Sequence, residues 1–205
     1  MTPTKLIRSL CAAVIVLLSA GPALQPQILA QRAGGRIVLA VDPARSEVHW
    51  TLGTTLHTVH GTFVISRGTI EVAPVTGKAG GEIVADARSG ESGNESRDKK
   101  MHREILESER FAQIVFRPER IDGKLLEAAT SSLRLHGVFL LHGQEHEMDL
   151  PVVAASDGER WTGTTHFSVP YIQWGLKNPS NFILKVKPEV EVEIKLAGVV
   201  KKAAQ

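Results

Sequence analysis

The chain has 205 residues, with 24 Lys and Arg against 22 Asp and Glu, and one cysteine, Cys11. This length is enough for one domain with its own hydrophobic core. The single cysteine excludes a disulfide framework and a cysteine-bound metal, and no basic patch with interleaved aromatic residues indicates a nucleic-acid partner.

Residues 1–30 have the pattern of a secretory signal peptide. Lys5 and Arg8 precede the apolar run Leu10–Ala20, and small residues suited to cleavage lie near residues 23 and 30. The run is short for a membrane span, although an uncleaved N-terminal anchor is the alternative. We therefore expect a periplasmic or secreted protein, whose mature part has 22 basic and 22 acidic residues because the first 30 residues contain only Lys5 and Arg8.

Arg36 begins a series of short apolar segments. Arg67-Gly68 is interpreted as a turn and Pro118 as the end of a strand. Alternating apolar residues, which place one set of side chains on one face of a strand, predict strands over Arg36–Val41, Ser46–Leu52, Leu56–Ser66, Thr69–Val72, Glu82–Ala85, Phe111–Phe116, Leu125–Ala129, Leu133–Leu141, Met148–Val152, Trp161–Val169 and Val190–Leu196.

The clearest pair of strands forms a hairpin between Leu133 and Val153. Apolar residues alternate on both sides of the interruption His142–His146. Turn signals recur along the rest of the chain about every 8–12 residues, as in a β-sandwich or a closed barrel. The fold class is therefore predicted to be mainly β and antiparallel.

One helix is predicted, over Ser96–Glu109. Met101 and Ile105 are four residues apart, and Leu106 widens the same apolar stripe. Asn94-Glu95-Ser96 is a formal glycosylation triplet, but it equally suits the start of a helix. A narrow stripe predicts a short helix that lies on a surface or closes one end of the fold.

The segment His142–His146 matches the H-x-x-E-H pattern of one class of zinc peptidase. That chemistry requires a helix, whereas the flanking residues alternate as strands do. A weaker alternative is a metal ion, or a metal-dependent enzyme, that uses His142 and His146 with a third ligand. No nucleophile elbow and no paired carboxylates are present, so no catalytic residue and no cofactor are predicted.

The apolar residues leave two alternatives for the interior. A barrel of about eight strands is just wide enough either to be filled by its own side chains or to hold one small ligand. A structural barrel without ligand therefore stands beside a binding protein, and alternation alone does not choose between them.

Several stretches, in this order and spacing, resemble the YceI-like family of exported lipid-binding proteins. They are Asp42–Trp50, His60–Phe63, Arg97-Asp98, Ile114–Phe116, Leu135–Gly143 and the alternating C-terminal strand. The resemblance implies a lipocalin-like antiparallel β-barrel with one short helix near an end, over residues 36–199, followed by a C-terminal tail, 200–205. It also implies an apolar cavity for a polyisoprenoid or a similar amphiphilic chain.

The predicted partner is accordingly an isoprenoid or another long-chain lipid, with a homodimer and a membrane donor or acceptor of the lipid as further expectations. Arg97 or Tyr171 is expected to meet the polar head of the ligand. The predicted ligand-binding residues are Val48, Trp50, Phe63, Ile65, Arg97, Phe116, Leu135, Phe139, Leu141, Phe167, Tyr171 and Trp174.

Overall fold

The computed structural model describes residues 36–126 and 128–202, and the predicted signal peptide lies outside them. One α-helix, α1 (Glu95–Lys100), continues into a π-helical turn, Met101–Ile105, and a short 3₁₀ turn spans Pro43–Arg45. The strands are β1 Ile37–Val41, β2 Glu47–Gly53, β3 Thr58–Ala73, β4 Lys78–Glu91, β5 Gln113–Asp122, β6 Thr130–Leu141, β7 Gln144–Ser156, β8 Arg160–Val169 and β9 Val190–Lys202.

The sheet closes on itself, which confirms the predicted antiparallel barrel. The strands follow the order β3-β2-β9-β8-β7-β6-β5-β4, and β4 pairs back with β3. β1 and β2 share one position in this ring of eight, because each pairs with β3 on one side and β9 on the other. β1 adjoins Thr69–Val72 of β3, β2 adjoins Thr58–Phe63, and the 3₁₀ turn separates the two.

Two predicted strand boundaries are wrong. Arg67-Gly68 is not a turn, since β3 runs continuously from Thr58 to Ala73 with register shifts on the way. Pro118 does not end β5, which continues to Asp122 with a register shift between Pro118 and Arg120. Bulges bend a long strand and provide a place for proline inside it. The separate strand predicted over Leu125–Ala129 is also wrong, because β6 begins at Thr130 and contains the predicted strand Leu133–Leu141.

The helix is shorter than predicted. The Asn94 side chain accepts a hydrogen bond from the Arg97 amide at 3.0 Å and caps the helix start. The α-helix ends at Lys100, and in the following turn Leu106 N donates to Met101 O, five residues back. Glu107 then adopts a positive φ of 46°, and the helical segment ends at Ile105, four residues before the predicted end at Glu109.

The barrel has two different ends. We define the open end as the one formed by the turn between β2 and β3, the helical cover (Glu95–Ile105), the hairpin turn His142-Gly143 and the β8–β9 connection, 170–189. The closed end is formed by the β3–β4, β5–β6 and β7–β8 connections. Within the described chain, no helix has both the length and the apolar character that crossing a membrane would need.

Candidate functional site: an apolar cavity at the open end

A cavity of about 490 Å³ lies inside the open half of the barrel. Strands β2, β3, β4, β5, β6, β8 and β9 contribute its wall, and β7 contributes nothing. Alternation along each strand directs the apolar set inward. Met101, Ile105 and Leu106 of the helical segment cover the cavity, because the wider π-helical turn brings all three side chains to its lining.

Ten of the predicted ligand-binding residues line this cavity, and two do not. Leu135 is buried, but it packs in the core below the cavity. Trp174 lies on the β8–β9 connection, outside the lining. The ten residues brought together are Val48, Trp50, Phe63, Ile65, Arg97, Phe116, Phe139, Leu141, Phe167 and Tyr171.

Trp174 explains why β7 is missing from the wall. Its ring stacks on the imidazole of His146 at a centroid distance of 3.9 Å and an interplanar angle of 4°, and it also contacts Phe139. Desolvation lowers the pKa of His146, so the neutral imidazole is favoured in this stack. Trp174 therefore covers β7 around His146 and does not line the cavity.

Three wall aromatics lie over glycines of neighbouring strands. A Cβ built on Gly61 would come within 2.2 Å of the Trp50 ring, one on Gly90 within 2.5 Å of Phe63, and one on Gly137 within 2.9 Å of Phe116. Each glycine leaves room for a ring to lie against the wall, which keeps the lumen unfilled. Gly61 in β3 therefore allows the Trp50 ring of β2 to lie close to its backbone.

The mouth of the cavity is lined by polar side chains, one of which is the basic side chain of Lys100. The exposed side chains of His57, Asn94, Ser96, Lys100 and Asn181 mark it.

The half-buried Arg97 guanidinium also reaches this mouth. Its Nε donates to Ser92 Oγ at 2.7 Å and a terminal nitrogen donates to Ser92 O at 2.9 Å. The neighbouring Asp98 binds the same serine, since it accepts from the Ser92 amide at 3.2 Å. Among residues 36–126 and 128–202 no carboxylate lies within 4.0 Å of Arg97, and Asp98 is linked to it through the Ser92 hydroxyl.

The Tyr171 hydroxyl already has a hydrogen-bond partner within the protein. Its hydroxyl donates to the Lys187 carbonyl at 2.9 Å, and burial raises its pKa to about 12. It is therefore a neutral donor that anchors the β8–β9 connection, and Arg97 is the better placed group for a polar or anionic head.

Polar contacts hold the helical cover to two other elements, and a third contact lies just beyond the cover. Lys177 Nζ donates to Glu104 Oε2 at 3.3 Å and joins the cover to the β8–β9 connection. His102 Nε2 donates to the Gly90 carbonyl at 2.8 Å, which ties the cover to β4. Just beyond the cover, Glu107 bonds His142 of the hairpin turn at 3.2 Å.

The hairpin does not bring His142 and His146 together as metal ligands. Its turn is only the two residues His142 and Gly143, both at positive φ, and His146 lies opposite Phe139 in β7. His142 packs on Phe111 instead. In the described part of the chain, no group of three or more His, Asp or Glu side chains is arranged to hold a metal ion.

Other lining residues were not predicted. Leu52 is in phase with Val48 and Trp50 on β2, and Val192 and Ile194 alternate with charged residues on β9, so alternation could have identified all three. Leu184 and Val186 lie on the irregular β8–β9 connection, where no periodic signal exists.

The family model of the YceI-like domain matches residues 39–197. The chain belongs to the YceI-like family. No match was found among curated proteins.

Solved structures with the same fold include three bacterial proteins. BcnA of Burkholderia cenocepacia superposes with a TM-score of 0.62 at 16% identity, covering 77% of this chain and 99% of that chain. A polyisoprenoid binding domain from Saccharophagus degradans gives 0.62 at 13% identity, covering 80% and 98%. The YCEI protein of Campylobacter jejuni gives 0.56 at 13% identity, covering 70% and 86%. At these identities the likeness shows the fold, which is that of YceI-like structures.

Proposed function

We propose that this YceI-like protein is an exported carrier that holds a polyisoprenoid or a similar amphiphilic chain in its barrel. The observation that carries the proposal is an apolar interior of about 490 Å³ with a polar mouth at the open end. Sites that enclose small ligands have volumes of roughly 300–1,000 Å³. The polyisoprenoid-binding domain from Saccharophagus degradans has the same fold.

The wall favours a hydrocarbon over a polar ligand. Trp50, Phe63, Phe116, Phe139 and Phe167 supply apolar surface around the lumen. Each CH₂ group that moves from water into such a site contributes about 0.8 kcal/mol. A chain of several isoprene units therefore needs few polar contacts to bind tightly.

The mouth favours a polar or anionic head. The Arg97 guanidinium donates to Ser92 through Nε and one terminal nitrogen. Lys100 lies one helical turn further along the cover and lines the same mouth. Guanidinium groups bind carboxylates and phosphates strongly because their donors match those oxygens in pairs. Export supports the same picture, since the N-terminal residues have the pattern of a signal peptide.

Filling the lumen tests the proposal. Ala85 lines the cavity and pairs with Ile65 and Ile114, which line it as well, so Ala85→Phe places a ring in the space that the lipid would occupy. Ala155 pairs with the exposed Thr130 and Thr162 on the outer face, and Ala155→Phe is the matched control.

We expect the native protein, purified without detergent, to retain an organic-extractable chain that native mass spectrometry detects. Ala85→Phe should lose most of this lipid while keeping the β circular dichroism spectrum, and Ala155→Phe should retain it. A wild-type protein that carries no such molecule and takes up no offered polyisoprenoid would identify a structural barrel without ligand.

A further inference from the structure

The open end exposes large apolar side chains on two rigid turns. Phe182 is 98% exposed, Ile183 79% and Leu56 70%. We call these three side chains the apolar tips. The other large hydrophobic residues that are exposed in the described chain are all valines, and they are scattered over the outer wall and the β3–β4 turn.

Hydrogen bonds fix both turns that carry the tips. The Asn181 side chain accepts from the amides of Ile183 and Leu184 at 2.9 and 2.7 Å. In the neighbouring turn, Thr54 Oγ1 accepts from the amides of Leu56 and His57 at 3.3 and 3.1 Å. Local side-chain bonds of this kind hold a turn in one conformation.

The two turns are also fastened to each other. Thr55 N donates to the Lys185 carbonyl at 3.0 Å, and Lys185 N donates to Thr55 Oγ1 at 3.3 Å. Thr54 and Val186 form a β-bridge, and both residues line the cavity. The apolar tips therefore project together from the rim of the mouth.

Positive charge surrounds the same rim. The connections at the open end, 54–57, 92–112, 142–143 and 170–189, contain eight Lys and Arg against six Asp and Glu, whereas the closed-end connections 74–77, 123–129 and 157–159 contain one against three. Within the part of the chain that the structure describes, Lys100, Lys185 and Lys187 have no carboxylate within 4.0 Å. Apolar side chains that insert among lipid headgroups, together with basic side chains beside them, bind anionic lipid surfaces reversibly.

We infer that the open end docks on an anionic membrane surface, with the apolar tips inserted at the level of the lipid headgroups. The inference rests on the proposed function, and it adds the partner with which the cavity exchanges its cargo. A protein partner fits less well, because three protruding side chains do not supply the roughly 800 Å² per partner of a standard interface. On a membrane the mouth would face the bilayer, so an apolar chain could pass without crossing water.

Vesicle flotation with the full protein tests the inference. The probes are vesicles of phosphatidylcholine alone and of equal parts phosphatidylcholine and phosphatidylglycerol. We expect the wild type to float with the anionic vesicles and the double variant Phe182→Ser/Ile183→Ser to bind about tenfold less, because it loses the apolar insertion. Val75→Ser, at an exposed valine of the closed end, is the matched control and should bind as the wild type does.

Two further measurements are the dependence of vesicle binding on charge and the depth to which the apolar tips insert. Lys185→Gln should weaken binding to the anionic vesicles and leave binding to neutral ones unchanged, and added salt should act in the same direction. Phe182→Trp should show a blue-shifted emission with anionic vesicles, and Val75→Trp should not.

Flotation that is equal for wild type and double variant, or absent for the wild type, overturns the membrane docking. A dimer in sedimentation velocity that Phe182→Ser/Ile183→Ser converts to a monomer, without flotation of the wild type, would assign the apolar tips to self-association and also overturn it. Native mass spectrometry of the same preparations separates this failure from failure of the carrier function, since a cavity that binds lipid retains it whether or not the protein floats.

Discussion

The two ends of the barrel use the same kind of side chain to opposite effect. At the closed end Trp161 packs with Ile37, Leu39, Ile70 and Val72 into a continuous core. At the open end Trp50, Phe63 and Phe116 lie over glycines along the wall, and a cavity of about 490 Å³ remains between them. Trp161 also lies over a glycine, since a Cβ on Gly198 would come within 2.8 Å of its Nε1. The comparison therefore teaches that the space depends on what packs beside the ring: aliphatic side chains fill it around Trp161, whereas a cavity remains beside Trp50, Phe63 and Phe116.

The largest expected effect comes from a matched pair of tryptophans. Trp161 is 6% exposed in the closed core, and Trp50 is 7% exposed at the cavity wall. Trp161→Ala should lower the free energy of unfolding by about 3–5 kcal/mol, since a fully packed aromatic loses contacts on all sides. Trp50→Ala should cost about 1–2 kcal/mol less, because one side of its ring faces the lumen.

Urea unfolding of the lipid-free protein measures both losses. Equal losses for Trp50→Ala and Trp161→Ala would mean that the open half is as solidly packed as the closed half. In that case the difference between the two ends would not hold.

A smaller effect is expected from an added methyl group at the wall. A Cβ at Gly90 would lie 2.5 Å from Phe63 Cε1 and 3.0 Å from Met101 Cε, which are both ends of side chains and can move. Gly90→Ala should therefore push Phe63 into the lumen and reduce the bound lipid, with a stability loss of roughly 1 kcal/mol. Gly80→Ala, whose Cβ would meet no atom within 4 Å, is the control. An unchanged lipid content in Gly90→Ala, measured by mass spectrometry, would argue that Phe63 does not bound the ligand.

The smallest effect concerns the cover of the open end. Hydrogen bonds from Arg103 and then Lys177 lower the pKa of Glu104 below its ordinary 4.5. Because the pKa of Glu104 is lower in the folded protein, these bonds add to the free energy of unfolding above pH 4.5. That stabilisation is lost as the pH falls through the pKa of the folded state. Glu104→Gln should remove that pH dependence and speed hydrogen exchange in Met101–Ile105 at neutral pH.

Glu95→Gln provides the control for this change. Glu95 pairs with Lys99 within the same helix and joins no second element. Equal amide exchange in Glu104→Gln and Glu95→Gln would show that the bond between Glu104 and Lys177 does not hold the cover.

The sequence predicts the class of fold well because alternation is a local signal. Val48, Trp50 and Leu52 already share a face by their spacing, and a strand needs no other information to orient them. The continuation of β3 through Arg67-Gly68 and of β5 through Pro118 depends on neighbouring strands that accept a bulge, so it is not visible locally.

The site is less predictable for a similar reason. Whether an inward residue lines a lumen or fills a core depends on its depth in the barrel, and Leu135 has the same spacing as Phe139 although it lies below the cavity. Trp174 is placed by its stack on His146, a contact between segments that no period encodes. The apolar tips lie in irregular turns and carry no periodic signal.

The pairing of the first described strands with the last one has a consequence for biogenesis. Ala197 N donates to Ser46 Oγ at 3.2 Å across 151 positions of sequence, and β9 adjoins both β1 and β2. Contacts that bridge nearly the whole chain slow folding, since a large loop must be ordered before they form. A nascent polypeptide therefore cannot complete the ring until the residues of β9 have left the ribosome.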